Sequence, residues 1–273
     1  MLDRGAAGIV GSRIQRHMTS RNDTSGTGPG TPAESAFQPA SQVDPRVMTS
    51  ARRRGLFVTF EGIEGSGKTT QIERLADRLR QAGEAIVITR EPGGSPLGRR
   101  LRTLLLGEDV GRIDPQAELL LYVADRAQHL REVVEPALAA GTNVLCDRFV
   151  DATLAYQGYA RGIDLELIRM LHRSPPLDRR PDRTMLLDLD PAVGLDRARR
   201  RNEDLGLAPT EGRFEREALE FHTRVRDGYL DLAEAEPFRF RIVDAEGSTE
   251  SVEARIADLL SDLFPALDED GVS

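Results

Sequence analysis

The chain has 273 residues, a formal charge of −8 and one cysteine, Cys146. A single thiol rules out internal disulfides, His17, His129, His172 and His222 lack metal-ligand spacing, and no apolar stretch reaches membrane-spanning length, which together point to a reducing cytoplasm. Residues 1–54 hold eight arginines against four acids, leaving −12 on the remainder, too acidic a body for general nucleic-acid binding.

From Met1 to about Arg54 the sequence is rich in Ser, Thr, Gly and Pro and poor in large apolar residues, so this extension is expected to be disordered. Met48, just ahead of Arg52-Arg53-Arg54, is an alternative start. The first predicted strand is the apolar run from Leu56 to Phe60. A glycine-rich turn follows, and then Ile72, Leu75, Ala76 and Leu79 recur at helical spacing. The turn, Gly62-Ile63-Glu64-Gly65-Ser66-Gly67-Lys68-Thr69, has the spacing of a phosphate-binding loop. Its glycines let backbone amides curl around an anion at the positive end of a helix. Lys68 is the only lysine in the chain, where arginine supplies every other fixed positive charge. A compact ammonium can lie between the outer phosphates of a nucleotide, and Thr69 can set a hydroxyl on the accompanying Mg2+.

Further strand-like runs follow at Ala85 to Ile88, Val144 to Cys146, Met185 to Leu189 and Phe238 to Val243. Helical patterns lie between and after them, including Leu119 to Leu138 and the set Val252, Ile256, Leu259, Leu260 and Leu263. Such alternation predicts an α/β fold, a five-stranded parallel sheet with helices on both faces, and the phosphate loop after its first strand makes it resemble the P-loop NTPase type. Arg239 and Arg241 alternate with apolar residues, which predicts a last strand at the sheet edge with one side wet. The phosphate loop, Thr89-Arg90-Glu91-Pro92-Gly93-Gly94 and Asp147-Arg148-Phe149 each follow a predicted strand, so three polar motifs converge on one rim. Forked hydrogen bonds from Arg90 and Arg148 suit a second phosphate facing the first, which predicts phosphoryl transfer to an acceptor rather than hydrolysis. Arg197, Arg199, Arg200 and Arg201, followed by a stretch broken by Gly206, Pro209 and Gly212, have the composition of a lid over a nucleotide.

Four motifs, FEGIEGSGKTT, TREPGG, LLYVADRAQH (Leu120 to His129) and DRFVDATLAYQGYARG (Asp147 to Gly162), resemble thymidylate kinase signatures in that family's order. The likeness runs from about Gly55 to Leu263. It implies a kinase domain over 55–264 with its lid at about 199–213 and transfer of a phosphoryl group from Mg-ATP to dTMP, while Asp268-Glu269-Asp270 mark 265–273 as an acidic, solvated tail. The resemblance assigns Lys68 and the amides of 62–69 to the ATP phosphates, and Glu64 to the nucleotide's 3′-hydroxyl and the magnesium surroundings. Arg90 and Arg148 fall to the acceptor phosphate, and Asp147 to Mg2+ through water. Tyr122 would stack on the thymine, Arg126 would hydrogen-bond the base, Tyr156 would crowd out a ribose 2′-hydroxyl, and Gln157 would face the base. Gly65 stands where some relatives carry a catalytic arginine, so that group is expected from the lid: Arg201 first, with Arg199 and Arg213 in reserve. Relatives pair as homodimers through helices. The competing expectations are core tyrosines at Tyr122 and Tyr156, a solvated ion pair of Arg126 with Asp125 or Glu132, a kinase for UMP or a nucleoside, and an NTP-binding switch.

Overall fold

Five parallel strands, β1 (Phe57–Glu61), β2 (Ile86–Arg90), β3 (Asn143–Asp147), β4 (Arg183–Asp188) and β5 (Phe240–Asp244), form one sheet in the order β2-β3-β1-β4-β5. They belong to a computed structural model that describes residues 54–107, 110–204 and 213–267, with the backbone alone for 201–204. The extension before Arg54 with Met48, the Arg201 side chain, most of the expected lid and the tail from 268 lie outside the described residues.

β1 sits at the centre and is buried along its whole length, which is why it reads as a nearly continuous apolar run. Its alternate residues serve two different layers. Val58 and Phe60 pack with Ile72, Leu75 and Leu79 of α1 (Lys68–Gln81) and with Val252, Ile256 and Leu260 of α9 (Thr249–Leu260). Phe57, on the other face, packs with Val144 and Cys146 and with Leu130, Val134 and Leu138. Those three lie on a long helical segment, α3 (Pro115–His129), continued by a π-helical turn (Leu130–Val134) and α4 (Glu135–Ala139). Pro136 has no N–H for the Glu132 carbonyl, and the ladder widens there. The helix starts on Asp114, whose side chain accepts from Gln116 N at 2.9 Å.

The remaining helices are α2 (Pro96–Leu106), α5 (Val150–Thr153), which runs into a π-helical stretch (Leu154–Ala160), α6 (Leu165–Leu171), α7 (Pro191–Asp204) and α8 (Leu219–Ala235). β5 does lie at an edge, as its alternation predicts, with Phe240 and Val243 buried and Ile242 51% exposed, but just before the strand Arg239 is buried, 8% exposed, and Phe238 is 86% exposed. Arg239 is drawn inward by Asp151, whose carboxylate accepts from it at 2.7 and 3.0 Å beneath the sheet.

Candidate active site

The rim above the carboxyl ends of β1, β2 and β3 gathers the polar motifs. In the phosphate loop Lys68 opens α1, and its Nζ donates to Gly62 O at 3.1 Å, Ile63 O at 2.7 Å and Ser66 Oγ at 3.3 Å. Burial, then the Arg148 charge, pulls its pKa down to about 8. No side chain caps the helix, so its first amides are left for an anion. Thr69 Oγ1 donates to Asp147 Oδ2 at 2.9 Å, pairing the first turn of α1 with the end of β3.

Arg148 follows β3 and leans over the loop. Its Nη2 donates to Glu64 Oε1 at 2.9 Å, its Nη1 to Tyr229 Oη at 3.2 Å, and its guanidinium lies 4.8 Å from the Tyr156 ring centroid. Glu64 also accepts the Tyr156 hydroxyl at 2.8 Å and faces His222 Nδ1 at 3.2 Å. Burial would raise the Glu64 pKa, but Arg148, His222 and Lys68 outweigh it and hold the carboxyl well below the usual range. Tyr156 is 5% exposed and meets Phe214, Phe221 and Tyr229 edge-on. Its ring is thus a core aromatic, and its hydroxyl is tied to Glu64 of the phosphate loop. Arg90 ends β2 in register with Asp147, one residue from Arg148, so both arginines stand on adjoining strand tips.

Behind them lies a buried network. Glu91 accepts from Arg126 Nε at 2.7 Å and pairs with His129 Nδ1 at 2.8 Å, while His129 Nε2 meets Thr89 Oγ1 at 2.7 Å. Arg126, 1% exposed, also bonds His172 Nε2 at 2.8 Å, Phe149 O at 2.9 Å and Thr153 Oγ1 at 3.0 Å. This overturns the solvated ion pair with Asp125 or Glu132: four of the five guanidinium N–H groups are spent on internal acceptors. Gln157, buried, donates from its amide nitrogen to Glu118 at 2.8 Å. Tyr122 is half-buried on α3 against the main core. Glu91, His129, His172, His222 and Tyr229 are site-supporting residues that sequence reasoning does not single out. Glu91 and His129 fall inside quoted motifs, which is the one signal available for them.

A family model described as thymidylate kinase matches residues 60–256. The chain belongs to the thymidylate kinase family. It is 58% identical over 200 residues to a thymidylate kinase of Syntrophotalea carbinolica, covering 73% of this chain and 92% of that one. A thymidylate kinase of Solidesulfovibrio magneticus is 55% identical over 197 residues, 72% and 94% of the two chains. Among solved structures, a thymidylate kinase from Ehrlichia chaffeensis superposes with a TM-score of 0.60 at 34% identity, over 76% of this chain and 99% of that one.

In this thymidylate kinase family member the phosphate loop has no room for a side chain at Gly65. Its φ is 71°, and a Cβ there would stand 2.0 Å from the Gly194 carbonyl oxygen on α7. On α7, Arg199 is exposed, Arg200 pairs with Asp196 at 2.9 Å, and Arg197 bonds Ala245 O at 3.2 Å. Arg213, before α8, pairs with Glu118 and bonds Leu105 O at 3.0 Å. Among the described residues no group of three or more His, Cys, Asp or Glu could hold a metal ion by itself.

Proposed function

We propose that the chain is an ATP:dTMP phosphotransferase that makes dTDP on the way to dTTP, working with Mg2+ as a cytoplasmic homodimer. The observation that carries this reading is the Arg148 contact with Glu64 of the phosphate loop at 2.9 Å, which gives a donor pocket and an acceptor pocket one shared wall. Phosphoryl transfer needs two polyanions held in line with their repulsion cancelled, and an arginine set against the phosphate loop supports that reading.

In this reading Lys68 and the amides of 62–69 take the ATP phosphates, and Arg90 and Arg148 clamp the acceptor phosphate. The oxygen donors Thr69 and Asp147, 2.9 Å apart, suit a hard cation that draws its other ligands from phosphate and water. Held by Thr69 and Asp147, Mg2+ would supply positive charge to offset that of the phosphates. Glu64 receives the nucleotide's 3′-hydroxyl. Tyr122 stacks on the base, and Arg126 and Gln157 reach it through the donor and acceptor their internal bonds leave over. The Tyr156 ring, pinned by Glu64 and flanked by aromatic neighbours, blocks a ribose 2′-hydroxyl. Arg201 is assigned to the transition state with Arg199 in reserve, while the Arg213 bonds to Glu118 and Leu105 O weigh against Arg213.

Acceptor profiling tests the assignment. With ADP release followed over dTMP, dUMP, UMP, CMP and thymidine, dTMP should turn over fastest, and equal or faster turnover of UMP defeats it. Tyr156→Ala is expected to narrow the preference for deoxyribonucleotides, and an unaltered ratio would leave that ring a structural role only.

A further inference from the structure

Among the described residues Arg148 is the one non-glycine with a positive φ, 69°. Such a backbone is costly for a bulky residue and persists where the surroundings enforce it. β1 enforces it from both sides. The Phe60 carbonyl accepts from Arg148 N at 2.9 Å, and the next residue of the strand, Glu61, accepts from Phe149 N through Oε1 at 2.7 Å. The other carboxylate oxygen of Glu61, Oε2, accepts the Tyr229 hydroxyl at 2.7 Å, and the Tyr229 oxygen in turn accepts from Arg148 Nη1 at 3.2 Å.

We propose that Glu61, with Tyr229 as its relay, is the positioning group for Arg148, one oxygen fixing the backbone turn and the other fixing the guanidinium edge. The Glu61 carboxyl is 0% exposed, and burial followed by the Asp151 carboxylate pushes its pKa up to about 8 against the pull of Arg148, Tyr229 and the Phe149 amide. A group so costly to bury adds little as packing. Its bonds instead converge on the backbone and side chain of one residue, from β1 on one side and α8 on the other. Neither Glu61 nor Tyr229 touches the phosphates in the mechanism above, so each acts through Arg148.

The inference rests on Arg148 serving the acceptor phosphate, and one double-mutant cycle tests the two claims separately. dTMP affinity is measured by calorimetry for the full chain and for Tyr229→Phe, Glu61→Gln, Arg148→Ala and the paired variants. Tyr229→Phe should weaken dTMP binding about tenfold, the size of one hydrogen bond to a charged group, with the KM for ATP unchanged. On top of Arg148→Ala the same change should cost less than about twofold, because the group it positions is gone. An equal tenfold loss in both backgrounds, or no loss in either, overturns the relay. Wild-type dTMP affinity in Arg148→Ala alone overturns the acceptor clamp, and the relay with it. Should Glu61→Gln fail to fold, Tyr229→Phe carries the cycle, since it deletes one oxygen and leaves the Glu61 bond to Phe149 in place.

Discussion

Lys68 occupies a place poorly suited to a lysine. It is 7% exposed, and its pKa falls from 10.5 to about 8. A lowered lysine pKa means the folded chain sheds the proton more readily than the unfolded one. That stability is present above the ordinary lysine value and lost as pH falls through the folded one, so at neutral pH the unliganded fold bears a cost on the order of 3 kcal/mol. In the proposed role of Lys68, a nucleotide phosphate would offset it. Lys68→Met should therefore cut turnover by about a hundredfold or more while the melting temperature without ATP does not fall and the shift on adding ATP shrinks. Calorimetry beside ADP release measures both, and a lower melting temperature at full activity would reverse the argument. Asp125 carries the opposite shift. Its Oδ1 accepts from Gly93 N at 3.2 Å, its Oδ2 is buried with no protein partner, and burial followed by Glu91 lifts its pKa from 3.8 to about 6. With a raised carboxyl pKa, stability is present below the unfolded value and lost as pH rises through the folded one. Asp125→Asn keeps an acceptor for Gly93, so its stability relative to wild type should climb between about pH 4 and 6 and then level off, a change of up to about 3 kcal/mol. Urea midpoints across that range decide it, and a gap independent of pH would clear Asp125 of the effect.

At the scale of elements, α7 is seated on the phosphate loop through a contact between two glycines. A Cβ on Gly65 would reach 2.0 Å from Gly194 O, whereas one on Gly67, also at positive φ, would meet nothing within 4 Å. Gly65→Ala and Gly67→Ala thus share the backbone penalty and differ in the clash. Gly65→Ala should cost stability and ATP affinity by at least about 2 kcal/mol more than Gly67→Ala, and equal losses would mean that α7 moves off without cost. The loop itself is legible in the sequence because strand, turn and helix lie in one contiguous stretch with two distinct periodicities. The network behind it is not. Arg126 has acids as near neighbours, yet its carboxylate partner is Glu91, 35 positions away on the strand tip of β2, because α3 turns that face inward. Likewise the alternation at Arg239 suggests a wet face, and the Asp151 carboxylate that draws it inward comes from a helix 88 positions earlier. Periodicity tells which face a residue shares. It does not tell which distant charge the fold sets against that face.

For the whole molecule, the five parallel strands and both helical layers follow from the alternation of apolar runs, whereas the order β2-β3-β1-β4-β5 is set by crossovers that periodicity does not encode. The alternating apolar runs begin after residues 1–54, and 73% of this chain covers 92% of the Syntrophotalea carbinolica chain. Among the described residues, four bonds attach the start of the first strand. Arg54 pairs with Asp182 at 2.8 Å, Gly55 N donates to Leu138 O at 2.9 Å, Leu56 N to Asn143 Oδ1 at 2.9 Å and Phe57 N to Asp182 Oδ2 at 2.8 Å. Starting the chain at Met48 keeps all four bonds, so the shortened protein is expected to match the full chain in melting temperature within about 1 °C and in dTMP turnover within about twofold. Starting at Val58 removes all four, together with the Phe57 ring that is 0% exposed between β3 and the π-helical turn, and should leave insoluble or unfolded protein. Equal behaviour of the two truncations would mean the central strand is not held at its start, and a large loss on starting at Met48 would give residues 1–47 a part in the fold or the reaction.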